Sequence, residues 1–373
     1  MVNNALKLFS LVCSAMLMLA CTPNIEEYIK NADTAIKPLE IKVVVVTMFE
    51  IGEDEGDKPG EFQLWKARQQ LDTQFAFPAS HHDIFVNEDT GVMGIVTGMG
   101  TAKAASAVMA LGLDPRFDLK NAYWLVAGIA GVDPQDASIG SAVWAKWLVD
   151  GDLAHQIDAR EIPSSWNSGY FPLFKNQPVE EGETVDQNAI KASNSTNGEV
   201  YKLNHGLSDW AYQLTKNTVL LDLPQMAELR ENYKNYPNAQ KPPFVLQGDQ
   251  LAASTFWHGA ILNEWANNWT AYWTSGEGNF VTSGMEDTGS YQSILYLDKA
   301  KRVNKNRFMV LRTASNYSMP YDALSAADNL AAESGETGFA GMESALESAY
   351  KVGSTVVDEI VNNWEDYKHN TPQ

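Results

Sequence analysis

The chain is predicted to fold as an α/β protein, a mixed central β-sheet flanked by helices, on three observations. Strand-like apolar runs alternate with helix-like segments along most of its 373 residues. Several runs, such as residues 43–46, are unbroken and β-branched, as strands buried on both faces are. Closely spaced glycines follow two of the runs, at Gly98-Met-Gly100 and Gly128-Ile-Ala-Gly131. Without a Cβ, a glycine lets the backbone turn sharply or approach a ligand closely.

Each element follows from local pattern. Residues 41–47 form the first strand, and 62–71 have helical spacing. Residues 94–96 are a strand feeding Gly98-Met-Gly100, and the Ala-rich stretch 101–111 is a helix, since Ala is the strongest helix former. Residues 122–126 are a strand that empties into Gly128 and Gly131; alone, that pair also fits an ordinary strand-turn-strand connection. Its partner is 141–147. A strand at 279–282 precedes a helix from Asp287, 308–312 is a further strand, and 341–364 has the amphipathic spacing of a long helix. The alternation breaks between about 158 and 243, a stretch rich in Asn, Ser, Tyr and Pro that includes the polar tract 191–198 and one expected helix at 207–218. It reads as a large insertion, expected to close over the site, within a domain spanning 39–370.

The first twenty residues read as targeting sequence. Lys7 precedes an apolar run, 8–20, of signal-peptide length and too short to span a bilayer as a helix. It ends in Met18-Leu-Ala-Cys21, which resembles the bacterial lipoprotein box with Met in place of the usual Leu. On this reading 1–20 is a signal peptide and 21–38 a tether. The protein is then exported to the periplasmic face of a bacterial envelope, touching membrane only through lipidated Cys21; plain secretion and a membrane-anchored helix stay open. Removal of Cys13 would leave one thiol, so no internal disulfide or Cys metal site is expected. Later apolar runs are of strand length, unlike those of a carrier that spans a bilayer by itself.

The net charge of −20 argues against nucleic acid or anionic lipid as a partner, both of which want clustered Lys and Arg. Among the six His only His81 and His82 are close in sequence, and neighbours rarely converge on one ion. No nucleophile elbow or P-loop is present, and no metal or cofactor is expected.

Five motifs in order carry a family resemblance: Gly98-Met-Gly100 before an Ala-rich helix, Gly128-Ile-Ala-Gly131 with Ile139-Gly140, Gly248-Asp249, Ser283-Gly-Met-Glu286, and Arg312-Thr-Ala-Ser-Asn316. Their order resembles that of the nucleoside phosphorylase and nucleosidase superfamily. Across nearly the whole mature chain the sequence looks more closely like the purine nucleoside permeases. The resemblance implies a nucleoside phosphorylase-like fold, a purine nucleoside as ligand, and a homo-oligomer as an open option. The activity it implies is cleavage of the N-ribosidic bond; the alternative is a nucleoside-binding component of uptake without catalysis.

Such cleavage passes through an oxocarbenium-like state and needs a carboxylate near the ribose, a donor to the leaving base and a nucleophile on the opposite face. The resemblance gives these parts to Glu286 at the ribose hydroxyls, Asn316 at the purine and Glu50 as positioner of the water, with Glu53 a competitor for Glu50. Asn316 cannot titrate; its amide suits 6-oxopurines without excluding adenosine. Gly98, Gly100, Gly128, Ile129, Gly131 and Met285 would line the ligand site, and one of Phe256, Trp257 or Tyr321 would stack on the base. Superfamily phosphorylases hold phosphate with an Arg and a Ser where this chain has Val126 and Ile129. Neither can meet a dianion, so hydrolysis is expected over phosphorolysis unless Arg312 or Arg68 reaches in.

Overall fold

The computed structural model describes residues 37–186, 199–333 and 339–373. The expected signal peptide, Cys21 and the tract 191–198 therefore lie outside the described residues. Residues 40–373 form one unit built on a twelve-stranded mixed sheet.

Strand β1 (Val43–Thr47) leads through α1 (Gln63–Arg68) to an antiparallel run of β2 (Thr73–Phe75), β3 (Ile84–Asn87) and β4 (Val92–Val96), and β4 returns to pair parallel with β1. Helix α2 (Thr101–Leu113) then carries the chain to β5 (Tyr123–Val132), followed by the short β6 (Ala142–Trp144) and β7 (Trp147–Asp150). A hairpin of β8 (Ala154–Gln156) and β9 (Tyr170–Pro172) stands apart from the main sheet, whose edge strand is β10 (Val200–Lys202). Helices α3 (His205–Thr215) and α4 (Pro224–Arg230) precede β11 (Val245–Gln247) and β12 (Asp249–Ala252). Next come α5 (Ala260–Trp273), β13 (Phe280–Gly284), α6 (Asp287–Lys299) and β14 (Phe308–Tyr317), then α7 (Ala326–Glu333), α8 (Met342–Asn362) and the short α9 (Trp364–Tyr367).

The hub is β5. One edge pairs over nearly its whole length with β14; the other gives its first half to β1 and its last two residues to β13. A strand with three neighbours obliges the sheet to curl. The C-terminal ends of β1, β5 and β14 and the two loops that enter α2 and α6 thereby meet at one place.

The sequence pattern holds for the strands and for α2, α6 and α8, with two corrections. The 141–147 segment is two strands, β6 and β7, in different parts of the sheet. Gly128 and Gly131 do not make a turn; they lie inside β5, and neither has a positive φ. What excludes a side chain there is crowding. A Cβ on Gly128 would overlap Met48 Cε and sit 2.5 Å from Glu61 Oε1 and 2.9 Å from Arg312 Nη1. Gly98 and Gly100 are turn residues, at φ +84° and +99°, leading into α2. The 158–243 insertion is tied to the body: β10 pairs with β7, and Leu207 and Ala211 of α3 share a core with Val352 and Val356 of α8.

Helices α2 and α6 pack closely through Gly289, where a Cβ would overlap the carbonyl oxygen of Thr101. Backbone cannot yield as a side-chain tip can. Gly289→Ala is therefore expected to destabilise the protein by about 1–3 kcal/mol through overpacking, against the roughly 1 kcal/mol that Ala offers a helix interior. Urea unfolding that shows the variant as stable as the parent would refute this packing.

Candidate functional site

At the meeting point of the strands lies a buried guanidinium. Arg312, in β14, is 1% exposed, and its donors are nearly all engaged. Nε and Nη2 hold Asp287 at 3.1 and 2.8 Å, Nη2 also holds Glu286 at 2.9 Å, and Nη1 donates to the Ile129 carbonyl at 3.0 Å. Burial works against the charge, but Asp287 and Glu286 outweigh it and raise the Arg312 pKa. Both carboxylates stand at the start of α6, where the helix dipole favours negative charge. Gln250 of β12 donates to Asp287 at 3.1 Å and takes up the Thr282 hydroxyl.

Glu286 faces two ways. Its Oε2 accepts from Arg312 and from the Met285 N–H at 3.2 Å, while Oε1 accepts the Gly100 N–H at 2.9 Å. The positive φ of Gly100 aims that N–H across to the α6 loop. Thr101 secures the same contact by donating its hydroxyl to the Met285 carbonyl. An ionised carboxylate has about four acceptor sites, so one on Oε1 remains for a ligand.

The third carboxyl is Glu61, which the sequence reading passed over. Its Oε2 accepts the Met48 N–H at 2.8 Å and its Oε1 the Ile129 N–H at 2.7 Å, so it bridges the ends of β1 and β5 over Gly128. Burial pushes its pKa up to about 8; Arg312 opposes that shift and Glu286 adds to it. The available signal was its place immediately before the buried Phe62 and Trp65 at the start of the α1 pattern, where a solvated acid has no business.

Glu50 is placed differently from the expectation. Its carboxylate accepts the backbone N–H groups of Ile51, Gly60, Phe62 and Gln63, which folds the 50–63 loop back on itself and leaves the side chain fully engaged as a staple. Its acceptor sites are filled by the chain, which leaves none for the water that the base role expected of Glu50 requires. Glu53 lies in the same exposed loop, its N–H bound to Asp57.

Asn316 is buried near the end of β14, with a fixed amide. Nδ2 donates to the Tyr317 carbonyl at 3.1 Å, and Oδ1 accepts the Ser315 hydroxyl at 2.9 Å. Ser315 and Asn316 form the floor of a cavity of about 860 Å³ walled by α4, α7 and the start of α8. Gln225 and Leu229 of the insertion line it, as do Tyr321, Phe339 and Met342. Phe256, about half exposed, stacks on Phe339 with centroids 6.3 Å apart and planes at 12°. Trp257 instead packs edge-on against Trp265 and beside Phe280 in the aromatic core. Gly131 is crowded by Ser283 Oγ and Asn316 Nδ2, joining the floor to the loop that ends in Glu286.

Val126 is buried between β1 and β14, and Ile129 presents backbone, its N–H to Glu61 and its carbonyl to Arg312. Arg68 is held bidentately by Glu347. Neither arginine is free to take up a phosphate. Among the described residues no group of three or more His, Cys, Asp or Glu is placed to hold a metal ion, and no helix is long and apolar enough to cross a membrane.

The model of the purine nucleoside permease family matches residues 40–372. The chain belongs to that family. A Schizosaccharomyces pombe member described as a probable purine nucleoside permease is 29% identical over 330 residues, covering 87% of this chain and 90% of its own. The purine nucleoside permease of Candida albicans is 31% identical over 287 residues, or 76% of this chain and 67% of its own. Among solved structures, the Helicobacter pylori 5′-methylthioadenosine/S-adenosylhomocysteine nucleosidase with butyl-thio-DADMe-Immucillin-A has a TM-score of 0.49 at 13% identity, over 86% of this chain and 99% of that one. Futalosine hydrolase of the same organism has a TM-score of 0.47 at 13% identity, over 86% and 98%. These family members come from fungi, which have no bacterial periplasm, so the expected location on the periplasmic face of a bacterial envelope is overturned.

The raised Glu61 pKa has a thermodynamic consequence. Below its ordinary value of 4.5 the carboxyl is neutral folded or unfolded; between 4.5 and about 8 the unfolded chain ionises while the folded chain keeps its proton. Stability should fall as pH rises through that window and level off above it. Asp136, Asp150 and Asp249, each pushed up to about 6 chiefly by burial, slope the same way but level off sooner. Urea unfolding at stepped pH should therefore show a wild-type decline from pH 6 to 8 that Glu61→Gln lacks. Identical slopes in the two proteins would contradict the environment described for Glu61.

Proposed function

We propose that the protein recognises a purine nucleoside and cleaves its N-ribosidic bond by hydrolysis, releasing free base and ribose. The observation that carries this reading is the buried cluster of Glu61, Glu286 and Asp287 around the single cation Arg312. An oxocarbenium-like state develops positive charge on the ribose, and a site with more carboxylates than cations favours that charge. Glu286 takes a ribose hydroxyl on its remaining acceptor site. Glu61, with a pKa of about 8, is poised near neutral pH to draw a proton from the attacking water. Asn316 holds the purine through its remaining N–H and acceptor site but cannot give it a proton.

Hydrolysis is favoured over phosphorolysis because both candidate arginines are committed. Arg312 serves Asp287, Glu286 and Ile129, and Arg68 serves Glu347. A phosphate dianion would enter beside three carboxyl groups with little to offset its desolvation. The description of the fungal relatives as permeases supports a second reading, in which the same pocket captures nucleosides for uptake without turnover.

Incubation of the purified protein with inosine, guanosine and adenosine, with and without phosphate, followed by chromatography, separates these readings. The expected products are base and ribose, independent of phosphate. Ribose 1-phosphate would overturn the hydrolytic assignment, and tight binding with no product would establish the capture reading. Glu61→Gln should lower kcat by roughly 100-fold or more, the usual range for losing a general base, while nucleoside Kd changes little. Wild-type turnover in that variant would remove Glu61 from the mechanism.

A further inference from the structure

We infer that the nucleoside taken by this site is an adenosine whose exocyclic nitrogen carries an apolar substituent, and that the substituent fills the cavity beyond Asn316. The inference rests on the nucleoside reading above.

The floor of the cavity sets the polar match. Because Asn316 spends one N–H on the Tyr317 carbonyl and one acceptor site on the Ser315 hydroxyl, its amide offers one donor and one acceptor. Adenine presents an acceptor at N7 beside the N6–H donor, the edge that an Asn amide reads in nucleic acids. A 6-oxopurine can meet the same amide with O6 and N1–H, so the floor alone does not choose between them. The walls do. The cavity that Asn316 lines, about 860 Å³ and toward the upper end of the range for drug-sized ligands, is walled mainly by Leu229, Leu324, Ala332, Phe339, Met342 and Leu346, with Lys58, Gln225, Asn329, Glu343 and Glu347 as its polar lining.

A bare purine would leave these apolar walls facing water, and an exocyclic nitrogen can carry a substituent toward them where a 6-oxo carbonyl cannot. An alkyl or aryl group on N6 displaces that water and buries its own apolar surface against them. The Phe256–Phe339 stack adds an aromatic surface at one side, suited to a planar or unsaturated substituent. A mono-substituted N6 still carries one hydrogen, so the bond to Asn316 Oδ1 is kept.

Calorimetric titration of the full chain carrying Glu61→Gln, in which turnover is slowed and nucleoside Kd kept, with adenosine, N6-benzyladenosine and 5′-benzylthio-5′-deoxyadenosine tests this on binding alone. N6-benzyladenosine is expected to bind at least tenfold tighter than adenosine. Ala332→Trp, at an exposed α7 position lining the cavity, should cut that advantage to under threefold, read as the ratio of the two ligands within the variant. Adenosine binding with no gain from the N6 group overturns this inference and leaves the nucleoside reading standing. A gain confined to the 5′-benzylthio compound overturns the base-side placement. If no nucleoside binds, the nucleoside reading itself fails and this inference falls with it.

Discussion

A guanidinium with almost no access to water is the constraint around which the rest of the structure is arranged. Burying Arg312 is costly unless every donor finds an acceptor and the charge is balanced. The chain meets this with Asp287 and Glu286 at the mouth of α6 and a β5 carbonyl. Space for the group is made by glycines: Gly128 on one side and Gly284 on the other, where a Cβ would lie 3.0 Å from the Arg312 Cζ. Glycine thus stands inside β5 and at the end of β13, where strands otherwise disfavour it, because the charge passes between them. The same arrangement brings β1, β5, β13 and β14 to one point, with Arg312 and Asn316 four residues apart on β14 and a bulge between Ala314 and Asn316.

The alternation of short apolar runs and helical spacing was legible because strand and helix periods differ so plainly in this chain, from the unbroken valines of β1 to the amphipathic α8. The glycine motifs were legible as places where something comes close. Their reason was not. Gly98 and Gly100 are glycines for their φ, whereas Gly128 and Gly131 are glycines for lack of room, and sequence spacing does not separate these causes. Glu286, Arg312 and Asn316 stood in motifs, and the structure draws the first two together in one ion pair.

The acid next to the end of β1 was harder. Several carboxylates lie between residues 50 and 61, and local pattern ranks the one nearest the strand first. The loop reverses that order. Glu50 spends its oxygens holding the 60–63 backbone, and by doing so it delivers Glu61 into the cluster. Which carboxylate is a staple and which is buried depends on how the loop closes, a tertiary fact with no short-range signature. The same holds for Trp257, whose neighbours in the core come from α5 and β13.

Charge counting links the cluster to the proposed reaction. With Glu61 protonated, Arg312 is outnumbered by one among its neighbours; with Glu61 ionised, by two. At pH 7 a carboxyl of pKa about 8 is ionised only about a tenth of the time, a cost of roughly 1.4 kcal/mol against catalysis. That cost is one the substrate can offset, since positive charge growing on the ribose favours the ionised cluster and the departing water proton returns Glu61 to its neutral form. An acid of ordinary pKa would be ready more often but would hold the proton less firmly while the C–N bond opens. On the proposed reaction, the depth at which Glu61 is buried beside Gly128 and Arg312 would tune both how often the base is ready and how well it keeps what it takes.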